Sequence, residues 1–231
     1  MSEARCRNCN QPLTASAAYC PSCGQSVREI SRPWLEFARE MLTELADFDG
    51  RMFQSLRLLL SRPGFLSLEY NRGRRVSHTS PIRMYLVISL LFFLVLPIIL
   101  PPVSGTNPEH KISVDLYSKA MFLLLPVFAL LLKILYRRSY YIDHLVFTGH
   151  LFSAMFIVFA ILLSIETLAD RYILVMLIQV ILTIYVVAYF VIALRTAYQE
   201  SWQKSILKFI ALLVFFLPLL GMAIEVASHV E

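Results

Sequence analysis

All four cysteines of the chain fall within 18 residues, as Cys6-Arg-Asn-Cys9 and, ten residues further on, Cys20-Pro-Ser-Cys23. Two Cys-x-x-Cys pairs at this spacing can bring four thiolates to the corners of one tetrahedron, which is how structural zinc is held. The predicted zinc ligands are therefore Cys6, Cys9, Cys20 and Cys23. Gly24 and the Asn8/Asn10 positions tolerate the left-handed turns that such knuckles need. A unit of about 25 residues has too little core to fold alone, so the metal would supply much of its folding energy. Four sulfur ligands leave the metal no open position, so the expected role is structural and not catalytic. A disulfide pair would suit an oxidising compartment, whereas the topology argued below puts these thiols in a reducing one. A thioredoxin-like redox pair would need a strand–helix framework, and none surrounds either motif. The ribbon region carries Arg5, Arg7 and Arg28 but only Tyr19 as an aromatic. That is a poor match to a nucleic-acid surface, and a protein contact is the expectation.

The second set of residues with chemical potential is basic. Every base before the first long apolar run is arginine, twelve in all with no lysine. Guanidinium forks bind phosphate bidentately, as a lysine point charge cannot. Arg62, Arg72, Arg74, Arg75 and Arg83 form the candidate site for an anionic head group, and anionic membrane lipid is the expected ligand. The same residues also satisfy the positive-inside rule and the general attraction to anionic lipid. A third set lies within the apolar runs, where ionisable groups are functional candidates by default. His150 stands about 9 Å from the inner end of its run, and Tyr189 is at a matching depth, so the two are the candidate intramembrane polar site. A histidine satisfied by an interhelical hydrogen bond is the plainer alternative.

The elements that must position these groups follow from composition. Of 231 residues, 58% are hydrophobic and 16% charged, against roughly 45–50% and about 25% in soluble domains. Such a chain cannot coat a soluble globule. Five runs are long enough to cross a bilayer: Met84–Leu100, Leu116–Tyr136, Leu145–Ile165, Tyr172–Leu194 and Ile206–Ala227. The first 30 residues contain no apolar h-region, so no signal peptide is expected. With the N-terminus cytosolic, ten bases near the span ends lie inside and three outside. The C-terminus then lies outside. Ahead of the spans, 33–48 reads as an amphipathic helix whose polar face carries four acids and one base. That sign suits a protein partner better than anionic lipid. Residues 51–60 form a second amphipathic helix with Arg51 and Arg57 on its polar face, as expected of an interfacial helix. The predicted fold is all-α: a cytosolic zinc ribbon over 1–30, amphipathic helices and an arginine-rich juxtamembrane segment over 31–83, and a five-helix transmembrane bundle over 84–231.

Three motifs, Arg62-Pro63-Gly64, Glu69-Tyr70-x-x-Gly73-x-Arg75 and Pro81-x-Arg83-x-Tyr85, resemble those of the bacterial domain-of-unknown-function family 3667. The resemblance covers residues 1–90, with its core over 50–85. It implies a multi-span protein of the bacterial inner membrane, often with a zinc ribbon ahead of the spans, and no established activity. It adds no catalytic residue. There is no phosphate-cradling glycine loop, zinc-protease helix motif or nucleophile elbow. The leading expectation is a membrane adaptor whose zinc ribbon and acidic helix bind a cytosolic protein partner. The alternative is a carrier or scramblase for an anionic lipid or small anion. Assembly as a homo-oligomer would allow a shared cavity.

Overall fold

The computed structural model describes residues 4–14, 17–27, 50–99, 114–169 and 172–229. The acidic helix predicted over 33–48 and Arg28 lie outside the described residues. Among the described residues there are seven helices and no strands. We number them α1 (Gly50–Ser61), α2 (Phe65–Asn71), α3 (Pro81–Ile99), α4 (Val114–Leu135), α5 (Tyr141–Ala169), α6 (Ile173–Tyr198) and α7 (Trp202–His229).

Four of these, α3, α5, α6 and α7, are long and apolar enough to cross a membrane, which marks a membrane protein. The remaining long helix, α4, runs for 22 residues, and its apolar stretch within the described side chains is Phe122–Leu135. Pro97, Pro126 and Pro218 all lie inside helices. Neighbouring helices can compensate the backbone bond that a proline removes from a membrane helix.

Helix α5 is central, packing against α1, α2, α3, α4 and α6. Helix α7 joins α4 to α6 on the far side. Aromatic rings fill the interior in two groups. Phe92 and Phe93 of α3 pack on Phe156 of α5, with Phe92 and Phe156 centroids 4.9 Å apart. Phe128 of α4 meets Phe152, Phe190 and Phe216. Lipid tails are as apolar as these side chains, so dispersion and shape fit hold such a bundle together.

The α1–α2 hairpin is built into this core. Leu59 and Leu66 share one cluster with Met84, Leu151, Tyr189 and Leu194. The turn between the two helices is Arg62-Pro63-Gly64, and Gly64 has φ +77°, a conformation that disfavours a side chain. A Cβ at Gly64 would also collide with the Ala193 carbonyl oxygen of α6. The turn is therefore pressed against α6 at a point where only glycine fits.

Gly64→Ala should consequently lower the thermal stability of the purified protein, by about 1–2 kcal/mol for the left-handed backbone alone with the collision in addition. Gly221→Ala, which meets open space, is the control expected to leave the melting temperature essentially unchanged.

Candidate functional site

The four cysteines meet as the spacing predicts. Their sulfurs all lie within 4.8 Å of one another, with Cys6–Cys23 at 3.7 Å and Cys9–Cys20 at 3.5 Å. A tetrahedral zinc–thiolate site requires sulfurs about 3.8 Å apart. All four are free thiols, Cys6 and Cys20 being buried. The donor set and its spacing fit a closed structural metal site of the zinc type.

Each pair sits in a knuckle built by the same backbone hydrogen bonds. Cys6 N–H donates to Gln11 O, Asn10 N–H to Cys6 O and Leu13 N–H to Ala4 O. Fourteen residues on, Cys20 donates to Gln25, Gly24 to Cys20 and Val27 to Ala18. Asn10 (φ +63°) and Gly24 (φ +71°) take the left-handed position in each copy, two of the positions the sequence singles out. Burial opposes ionisation of Cys20, but the Cys23 and Ser22 backbone and the Cys9 and Cys6 thiols outweigh it and hold its pKa down to about 7. At Cys9 the Gln11 backbone favours the thiolate. Burial and the other three thiols outweigh it and push that pKa up to about 12. Four thiolates this close need a cation between them, which a bound metal would supply.

The second knuckle grips the chain ahead of α3. The Gln25 side chain donates from Nε2 to the Gly73 carbonyl at 2.7 Å and accepts from the Arg75 backbone N–H at 3.2 Å. The first knuckle adds a Ser77 hydroxyl bond to Asn8 Oδ1 at 3.0 Å. Arg7 lies over Gly73, which has φ +88° and where a Cβ would come within 3.0 Å of Arg7 Cδ.

The five predicted arginines do not converge on one exposed cluster. Arg74 and Arg72 bracket the buried carboxylate of Glu69, at 2.8 and 3.5 Å. Arg75 stacks over the Tyr70 ring and Arg62 over Phe65. Arg83 is buried in the first turn of α3. His150 and Tyr189 likewise take separate partners. His150 Nδ1 shares a 2.9 Å hydrogen bond with Ser67 Oγ of α2. Tyr189 donates to the Leu59 carbonyl at 2.8 Å, and Tyr185 to Leu60 at 2.7 Å. Both predicted residues are thus anchors for the hairpin. His78, its ring set edge-on to Phe65, has its pKa lowered by burial and partly restored by Glu69.

Sequence reasoning did not find a further cluster where the ends of α4 to α7 meet. Tyr136 and Tyr198 stack with centroids 3.7 Å apart, and His144 Nδ1 lies 2.7 Å from the Tyr198 hydroxyl. Lys208 Nζ sits 3.5 Å from the Tyr136 centroid and pairs with Glu200 at 2.8 Å. These residues come from separate segments and share no periodicity. The only signal in the sequence was the run of polar and aromatic residues at the ends of the apolar runs.

Fold and site together define an all-helical membrane protein with a four-cysteine metal-type unit clamped to the chain before its first long apolar helix. Residues 49–93, which include the clamped segment, match the family described as Protein of unknown function (DUF3667), the family that the motifs resemble. The cysteine unit lies outside the matched residues. No curated protein and no solved structure matches the chain.

Two measurements follow from this geometry. Native mass spectrometry of the protein should show one metal ion per chain, lost with Cys9→Ser and released as pH falls toward about 5, because protons compete for thiolates. Tyr189→Phe and Ser67→Ala should each lower stability by about 0.6–2 kcal/mol, the range for hydrogen bonds inside membrane bundles, as read from detergent melting curves.

Proposed function

We propose that the protein is a membrane adaptor in the bacterial inner membrane. It crosses the bilayer five times, with the N-terminus cytosolic and the C-terminus outside. Its zinc ribbon and the acidic helix at 33–48 bind a cytosolic protein partner. The observation that carries this reading is the Gln25 clamp on Gly73 and Arg75, supported by the Ser77–Asn8 bond. It fixes a small rigid unit to the juxtamembrane chain. Tyr19 is 63% exposed and stands at the Tyr19–Ser26 bridge of the second knuckle. An exposed tyrosine on a metal-held knuckle is the type of anchor that protein contacts favour. No catalytic residue is part of this reading.

The test is proximity crosslinking of the full-length protein in its own membrane. Cys20→Ser and Tyr19→Ala should each reduce recovery of a specific partner at least tenfold, whereas Gly221→Ala, which meets open space, should leave it unchanged. The same partner yield from both ribbon variants as from wild type would refute the adaptor reading.

A further inference from the structure

Among the described residues, the chain from Arg75 to Arg83 carries a concentration of buried polar atoms with no hydrogen-bond partner: Arg75 Nε, His78 Nδ1, Thr79 Oγ1, and Arg83 Nε and Nη2. They come from four residues within nine. Arg83 is 95% buried, with 5% of its surface exposed. A buried guanidinium without an acceptor is costly, because the charge gives up its hydration and gains nothing in exchange. The guanidinium nitrogens can only donate, and the hydroxyl and the imidazole nitrogen can donate as well. Between Gly50 and Ile99 the sequence contains seven arginines and a single acid, Glu69. That acid already serves Arg72 and Arg74. Among the described residues, donors here are therefore in excess of acceptors.

The location adds a second reason. Arg83 is the third residue of α3, a helix of 19 residues, and a helix N-terminus attracts negative charge. Thr79 stands four residues before it. The chain between them is fixed by the Thr79 N–H bond to Ser55 Oγ at 2.9 Å and by the Met84 N–H bond to Ser80 O. Arg51 Nη1 also holds the Val76 carbonyl. The donors thus sit on a braced segment.

We propose that Arg83, with Arg75, His78 and Thr79, forms a binding site for a phosphate-type oxyanion, either the head group of an anionic phospholipid or free phosphate. A phosphate offers several acceptor oxygens and no fixed donor, matching donors from several side chains; guanidinium forks engage it bidentately. This site goes beyond the adaptor reading and stands or falls independently of it.

The experiment uses the full-length protein in nanodiscs of phosphatidylcholine, with either phosphatidic acid added to the bilayer or inorganic phosphate added to the buffer. Wild type should be stabilised against heat in one arm and show one retained anion by native mass spectrometry. A response to phosphatidic acid alone assigns a lipid head group, and a response to inorganic phosphate assigns the free ion. Arg83→Gln should weaken that response at least tenfold. In plain phosphatidylcholine it should melt no lower than wild type, because it removes an unpaired buried charge. Arg75→Gln, at a half-buried position, should weaken the response severalfold and keeps the test available if Arg83→Gln does not fold. No stabilisation of wild type in either arm, or an undiminished wild-type response from both variants, would overturn the site. Melting of Arg83→Gln well below wild type without anion, with an unaltered response to it in Arg75→Gln, would equally overturn it and leave Arg83 a purely structural residue.

Discussion

The last carbonyls of a helix have no partner within it, and in an apolar setting they must find donors elsewhere. Helix α1 ends at Ser61, and its terminal carbonyls are satisfied from three directions. The Arg62 backbone N–H takes Leu58 O, the Tyr189 hydroxyl takes Leu59 O and the Tyr185 hydroxyl takes Leu60 O. The two tyrosines are one turn apart on α6 and so share a face. This termination allows α1 to stop within the core beside α6, reverse through Gly64 and return as α2. The position of the segment that carries Gln25's partners depends on that reversal.

Charge follows the same route. Glu69 is buried in α2, where an isolated carboxylate would be unfavourable. Arg74 reaches it at 2.8 Å, and Arg74 N–H also donates to the Glu69 carbonyl. The chain after α2 is thereby folded back on the helix, and Gly73 with its positive φ makes the bend. Gln25 then binds on either side of Arg74, at Gly73 O and Arg75 N. A buried carboxylate, a left-handed glycine and a knuckle glutamine act on consecutive links of one short segment.

Much of this was legible in the sequence. The Cys-x-x-Cys spacing forecast the cluster, Asn10 and Gly24 were recognised as turn positions, and apolar length marked the long helices. The amphipathic pattern over 51–60 gives a helix, in which Met52 and Leu59 are buried and Phe53 is exposed. Partnership was not legible. Depth along a helix axis placed His150 and Tyr189 at one level, but depth carries no information about rotation around that axis. Their hydrogen bonds run to Ser67 and Leu59, 83 and 130 residues away in sequence. The arginines look like one cluster because they are close in sequence, yet Arg72 and Arg74 go to Glu69, Arg62 and Arg75 to separate rings, and Arg83 is buried in α3. The Tyr136–Tyr198 stack joins residues 62 positions apart, beyond the reach of any periodic pattern.

The duplicated hydrogen-bond ladder of the ribbon has a consequence of symmetry. A shift of fourteen residues that carries Cys6 onto Cys20 and Asn10 onto Gly24 also carries Gln11 onto Gln25. Gln25 is occupied with the backbone of the protein's own chain, whereas Gln11 is exposed. The four-cysteine cluster thus joins two like-handed knuckles, of which one has its glutamine engaged internally and the other has its glutamine exposed. In mechanical terms the ribbon resembles a double-ended coupling already fastened at one end.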